Sequence, residues 1–88
     1  MDLPSGYRPD SEIDDEAMDP VWVQLAAILV ARIDAGQYPA GRAIPSLSQL
    51  RQEFGVARGT IVKVTNFLAD QGLVRPVHGR GVFVLPRG

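Results

Sequence analysis

Gly55 limits what this chain can fold into more than any other residue. In SLSQLRQEFGVARGTIVKV, beginning at Ser46, a helical pattern stops at Gly55 and restarts within three residues, at Arg58. A glycine past the last helical turn takes up the left-handed backbone that ends a helix, so the chain must change direction there. Neither flanking helix is long enough to be stable alone in water. Two short helices joined by a tight glycine-containing turn have the layout of a helix-turn-helix. Ser46 and Gln49 have the S-x-x-Q spacing of a capping box, and Leu47, Leu50 and Phe54 fall on one side of the helix they open. The next helix runs from Arg58 to about Gln71 and is closed by Gly72, with Ile61, Val64 and Leu68 at i, i+3 and i+7 facing a core and Phe67 beside them.

Such a pair needs further elements to cover it. Asp19 and Pro20 read as the cap and first residue of an earlier helix. Val21, Leu25, Ile28, Leu29 and Ile33 form its apolar stripe, and Gly36 ends it. Gln37 to Ile44, with Tyr38, Pro39 and Gly41, reads as a rigid connection. After Gly72, Leu73-Val74-Arg75 and Val82-Phe83-Val84 read as the strands of a hairpin. Alternation makes Phe83 the expected inward plug, with His78 and Arg80 at the tip. The expected fold is mainly α with a small β-hairpin: a winged helix-turn-helix, three helices plus a wing.

A chain of 88 residues is one small domain that buries only about 60% of its unfolded surface. It has no cysteine, so no disulfide or cysteine-zinc staple supports it. The acidic N-terminus is unlike a signal peptide and no apolar run is long enough to span a bilayer. A cytoplasmic protein without membrane association is expected. The net charge of -1 hides a division: seven carboxylates against Arg8 give -6 over residues 1–20, whereas eight cations against Asp34, Glu53 and Asp70 give +5 over the remainder. Residues 1–18 read as an acidic flexible arm, residues 19–88 as the folded domain, and the asymmetry points to a polyanionic partner.

The outer side of the last helix carries Arg58, Gly59, Val62, Lys63 and Asn66, with no carboxylate before Asp70. Cations for phosphates, an amide for base edges and apolar atoms for thymine methyls suit a helix entering a major groove. Arg80 stands between Gly79 and Gly81, where bare backbone lets the loop approach a phosphate or groove floor closely. His78 has no second histidine or cysteine to share a metal. With a single histidine and no clustered carboxylates in the folded part, no nucleophile, base and orienter converge, so neither enzyme activity nor a cofactor is expected.

From Pro20 to Val84 the chain resembles the DNA-binding domain of the GntR family of bacterial transcription regulators. The resemblance is carried by VWVQLAAILVARIDAG, by YPAG followed by IPSLSQL, by EFGVARGTIVKV, by LADQGLV and by HGRGVFV, in that order and spacing. It implies that Arg58 and Thr60 meet DNA backbone and bases and that His78, Gly79 and Arg80 enter the minor groove. The full set of candidate DNA contacts is Ser46, Arg58, Gly59, Thr60, Lys63, Asn66, Arg75, His78, Gly79 and Arg80. Three positions depart from the family: Ala57 replaces a capping Ser or Thr, and Ser48 and Val62 replace frequent arginines. Lower affinity per domain and an altered sequence preference are expected.

The function expected is a sequence-specific transcription regulator, a repressor binding double-stranded DNA as a homodimer on an inverted repeat, because one small module covers little DNA. Trp22 and Val23 are candidates for the dimer contact or, equally, for completing the core. No small-molecule effector is evident. Family members normally continue into a sensing or dimerising domain; Met1 ahead of an acidic arm favours a natural single-domain protein over an excised fragment. Alternatives are a winged-helix adaptor whose acidic arm docks on a partner, or a plasmid-maintenance or architectural DNA-binding protein.

Overall fold

The computed structural model describes residues 3–86. Three helices, α1 (Val21–Asp34), α2 (Leu47–Phe54) and α3 (Arg58–Asp70), precede a two-stranded antiparallel hairpin of β1 (Val74–Val77) and β2 (Gly81–Val84). Gly55 ends α2 in the left-handed region at φ 66°, its amide donating to the Arg51 carbonyl at 2.8 Å. The Ser46–Gln49 capping box closes the other end of α2 in both directions. Leu25, Leu29 and Ile33 of α1 meet Leu50 of α2 and Ile61, Val64 and Leu68 of α3 in one buried cluster, which Val74 and Val84 close from the hairpin side. Burying one such side chain is worth about 1.5–3 kcal/mol, so each is a large part of a small domain's margin.

β2 is held on both edges. On one side Val74 pairs with Val84 and Pro76 with Val82. On the other the connector bonds to it, Ile44 N donating to Val82 O at 2.8 Å and Val84 N to Arg42 O at 2.9 Å, with a bridge between Ala43 and Phe83. The connector, expected to be irregular, therefore supplies a third line of pairing. β1 is left as an edge strand, where Pro76 removes no required donor. The parity of β2 is opposite to that expected. Val84 is buried and Val82 packs on the core, while half-buried Phe83 lies across from Arg75 on the outer face. The Val74–Val84 pair sets this choice, because side chains alternate with period two.

The start of α1 also differs. Its N-cap is Pro20 with no side-chain cap, and the Asp19 carboxylate instead accepts from the Tyr7 hydroxyl at 2.8 Å. That bond belongs to a larger difference. The arm, whose composition predicts mobility, runs against α1. Gln24 is 1% exposed, and its amide makes three bonds to the chain ahead of α1: Oε1 accepts from Asp14 N at 2.9 Å, while Nε2 donates to Asp14 O and Asp19 O, each at 2.8 Å. Leu3 and Ile13 pack on the core cluster. The buried glutamine satisfies backbone groups that would otherwise need water. α1 is thus covered on two sides, with Leu25, Leu29 and Ile33 toward α2 and α3, and Gln24, Ala27 and Ala31 toward the arm. Val23 is buried within the chain, which removes it as an oligomer contact; Val21 is only half-buried. Residues 1, 2, 87 and 88, the outer ends of the two segments read from the sequence, lie outside the described residues.

Arg32 ties these parts together at one corner. Its Nε donates to Pro9 O in the arm at 2.8 Å, and Nη1 donates to the Tyr38 hydroxyl at 2.8 Å and to Glu53 Oε1 at 2.9 Å. Its guanidinium lies 5.0 Å from the Phe54 ring centroid. The Arg32 hydrogen bonds hold the Glu53 carboxyl below the usual carboxylate range, against an opposing effect of burial.

Two outcomes follow from these contacts. Gln24→Ala leaves Asp14 and Asp19 backbone groups without their partner; it is expected to lower stability by about 1–3 kcal/mol in thermal denaturation and to open residues 3–19 to limited proteolysis. Because the folded pKa of Glu53 is depressed, its contribution is present above the unfolded value and lost as pH falls through the lower folded value. Glu53→Gln is expected to flatten the acid limb of the stability profile by less than about 1 kcal/mol, since the carboxylate is 44% exposed.

Candidate nucleic-acid interface

The amino-terminal end of α3 is electrostatically open. Ala57 provides no side-chain cap and the first turn holds no carboxylate, so the partial positive charge of the helix end and its unpaired amides have no internal counter-group. Arg58 and Gly59 are exposed there, and Thr60 is half-buried with its amide bonded to Ala57 O at 3.1 Å. Further along, Val62, Lys63 and Asn66 are exposed. Lys63 does not stand freely in solvent: its Nζ lies 4.5 Å from the Trp22 ring centroid, and Trp22 meets Phe67 edge-on at 5.6 Å. A shallow hollow on this side of α3 is lined by Trp22, Gly59, Val62, Lys63, Asn66 and Asp70, among others.

A second hollow lies between α3 and the wing. Thr65 of α3, Ser46 and Gln49 at the start of α2, and Arg80, Gly81 and Val82 of the wing all line it. Thr65 Oγ1 donates to Val62 O at 3.0 Å, turning its hydroxyl back onto the helix. The wing turn is short: Arg80 N donates to Val77 O at 3.0 Å, and Gly79 and Gly81 take φ values of 75° and 119° that favour glycine. Both the turn and the two-sided pairing of β2 decide where the Arg80 backbone sits.

The structure thus places Gly59, Lys63 and Asn66 at one hollow, and Ser46 and Arg80 at the other. Arg58 and Thr60 belong to the first turn of α3. Arg75, His78 and Gly79 are exposed on the wing but line neither hollow; Arg75 lies opposite Phe83 on the outer face of the sheet. Ser46 Oγ is engaged as the cap of α2. Gln49, Thr65 and Trp22 join the site without having been singled out for it. Gln49 is visible in the sequence only as half of a capping box, and the Trp22–Lys63 contact joins two helices and has no spacing signal.

Comparison with known proteins agrees with this architecture. The family model described as "Bacterial regulatory proteins, gntR family" matches residues 23–84. An uncharacterized HTH-type transcriptional regulator of Rhizobium meliloti is 39% identical over 64 residues, 73% of this chain and 26% of that protein. The histidine utilization repressor of Pseudomonas putida is 32% identical over 74 residues, 83% of this chain and 30% of that protein. The chain therefore spans less than a third of the length of these relatives. Among solved structures, AraR(DBD) in complex with operator ORX1 superposes with a TM-score of 0.74 at 37% identity, covering 76% of this chain and 81% of that one. YtrA from Sulfolobus acidocaldarius, a GntR-family transcription factor, gives a TM-score of 0.78 at 30% identity, covering 88% of this chain and 81% of the other. In sequence order and in its three helices and wing, this chain belongs to the gntR family of bacterial regulatory proteins.

Proposed function

We propose that the chain binds double-stranded DNA sequence-specifically as the DNA-binding part of a transcription regulator, with α3 in the major groove and the wing tip in the adjacent minor groove. The observation that carries this is the exposed, carboxylate-free first turn of α3, uncapped and headed by Arg58, with Arg80 of the wing across a hollow that α3 also lines. Arg58 and the free amides beside it take phosphates. Lys63, drawn toward Trp22, serves the backbone and not a base edge. Asn66 offers the carboxamide that pairs with adenine. Arg80 reaches the minor groove from a turn whose neighbouring glycines allow close approach, and Thr60, Arg75, His78 and Gly79 complete the proposed set of contacts.

A module of this size covers about one half-site, so the reading includes a homodimer on an inverted repeat, with half-sites one helical turn apart. Repression needs only occupancy, and the relative from Pseudomonas putida is named a repressor. No small-molecule effector is assigned to this part of the chain. The cytoplasm is its place of action; no helix among the described residues is long and apolar enough to cross a membrane.

Binding to a selected duplex should weaken steeply with salt, because each neutralised phosphate releases counterions. Arg80→Ala is expected to weaken binding about tenfold and to reduce the slope of log K against log salt by about one. Arg8→Ala, in the arm, should change neither. A salt-independent affinity, or equal effects of the two substitutions, would contradict the assignment. Titration by fluorescence anisotropy at several salt concentrations reads both quantities.

A further inference from the structure

Gly59 is a glycine that the fold does not need. Every other described glycine has a positive φ, the region that side chains rarely adopt, whereas Gly59 lies in α3 without one. A Cβ built there meets nothing within 4 Å. Alanine would therefore fit and would favour the helix, since glycine is the poorer helix former. What the missing Cβ leaves is a strip of bare backbone facing outward.

Val62, three residues on, is 38% exposed, and only it and Met18 are exposed large hydrophobics among the described residues. Asn66 is one further turn along, so Gly59, Val62 and Asn66 share one line on the outer side of α3, and all three line the same hollow. Lys63, beside Val62 in the chain, has its Nζ 4.5 Å from the Trp22 ring centroid. The three positions themselves carry no charge: a bare Cα, an isopropyl group and a carboxamide. In the major groove the matching edge is that of an A·T pair, whose thymine shows a 5-methyl and whose adenine shows the N7 acceptor and N6 donor that a carboxamide pairs with bidentately.

We infer that Gly59 and Val62 form a thymine-methyl subsite, in which the 5-methyl seats against the exposed Gly59 backbone and the Val62 side chain while Asn66 takes an adjacent adenine. The inference rests on the DNA-binding reading above and deepens it. A Cβ at position 59 would occupy the place of the methyl. The half-site read by α3 then contains at least one A·T pair chosen by its methyl group.

Selection of bound duplexes from a random pool, followed by replacement of each thymine by deoxyuridine in turn, tests this. Deoxyuridine keeps the base pair and removes only the methyl. One half-site position is expected to lose about fourfold in affinity with the unsubstituted chain, and to lose little with Val62→Ala. Gly59→Ala is expected to raise the thermal midpoint while weakening binding to the thymine-containing site about tenfold. Enriched sequences with no methyl-dependent position, a methyl effect undiminished in Val62→Ala, or full affinity in a stabilised Gly59→Ala would each overturn the subsite while leaving DNA binding intact. A pool with no enriched sequence would overturn both.

Discussion

The structure depends on β2 being paired along both edges. A two-stranded hairpin alone is marginal in water, and its tip would wander relative to the helices. Here the connector before α2 bonds to β2 through Ile44 and Arg42, and that same connector leads into Ser46, the cap of α2. The wing and the start of α2 are thus fixed to one another by a few residues of backbone. Gly55 then fixes α3 relative to α2. Two tight joints, one on each side of α2, are what bring Arg80 and Thr65 to a common hollow.

α1 is packed on two sides. Its Leu25–Leu29–Ile33 side faces the helices and its Gln24–Ala27–Ala31 side faces the arm, while Asp10 and Glu12 of the arm line a hollow with Arg32, Glu53 and Phe54. With -6 in residues 1–20 and +5 in the rest, a net charge near zero conceals a division along the chain. The arm covers one side of α1 through the Gln24 amide.

Local signals were legible in the sequence where one short stretch decides the outcome. The Ser46–Gln49 box, the stop at Gly55, the core positions Ile61, Val64 and Leu68, and the turn at His78 to Arg80 all depend on neighbours within a few residues. Features that depend on distant partners were not. The parity of Phe83 is settled by Val74 across the hairpin, and two valines flanking a phenylalanine carry no sign of which face is buried. Asp19 has the spacing of a cap but is taken by Tyr7, twelve residues earlier. Gln24 looks like a polar interruption of an apolar helix until the Asp14 and Asp19 backbone groups that it satisfies are seen. For the site, residue types on α3 were readable from helical periodicity, whereas the pull of Trp22 on Lys63 needed the packing of α1 against α3.

The central claim is that the first turns of α3 and the wing tip meet one duplex together. Backbone amide chemical-shift mapping during titration with a selected DNA duplex tests it most directly. Shifts are expected to concentrate at Arg58 to Asn66 and at Val77 to Gly81, saturating at the same DNA concentration, while the amides of Asp10 to Met18 stay in place. Shifts confined to the arm, or α3 and the wing saturating at different concentrations, would contradict the account.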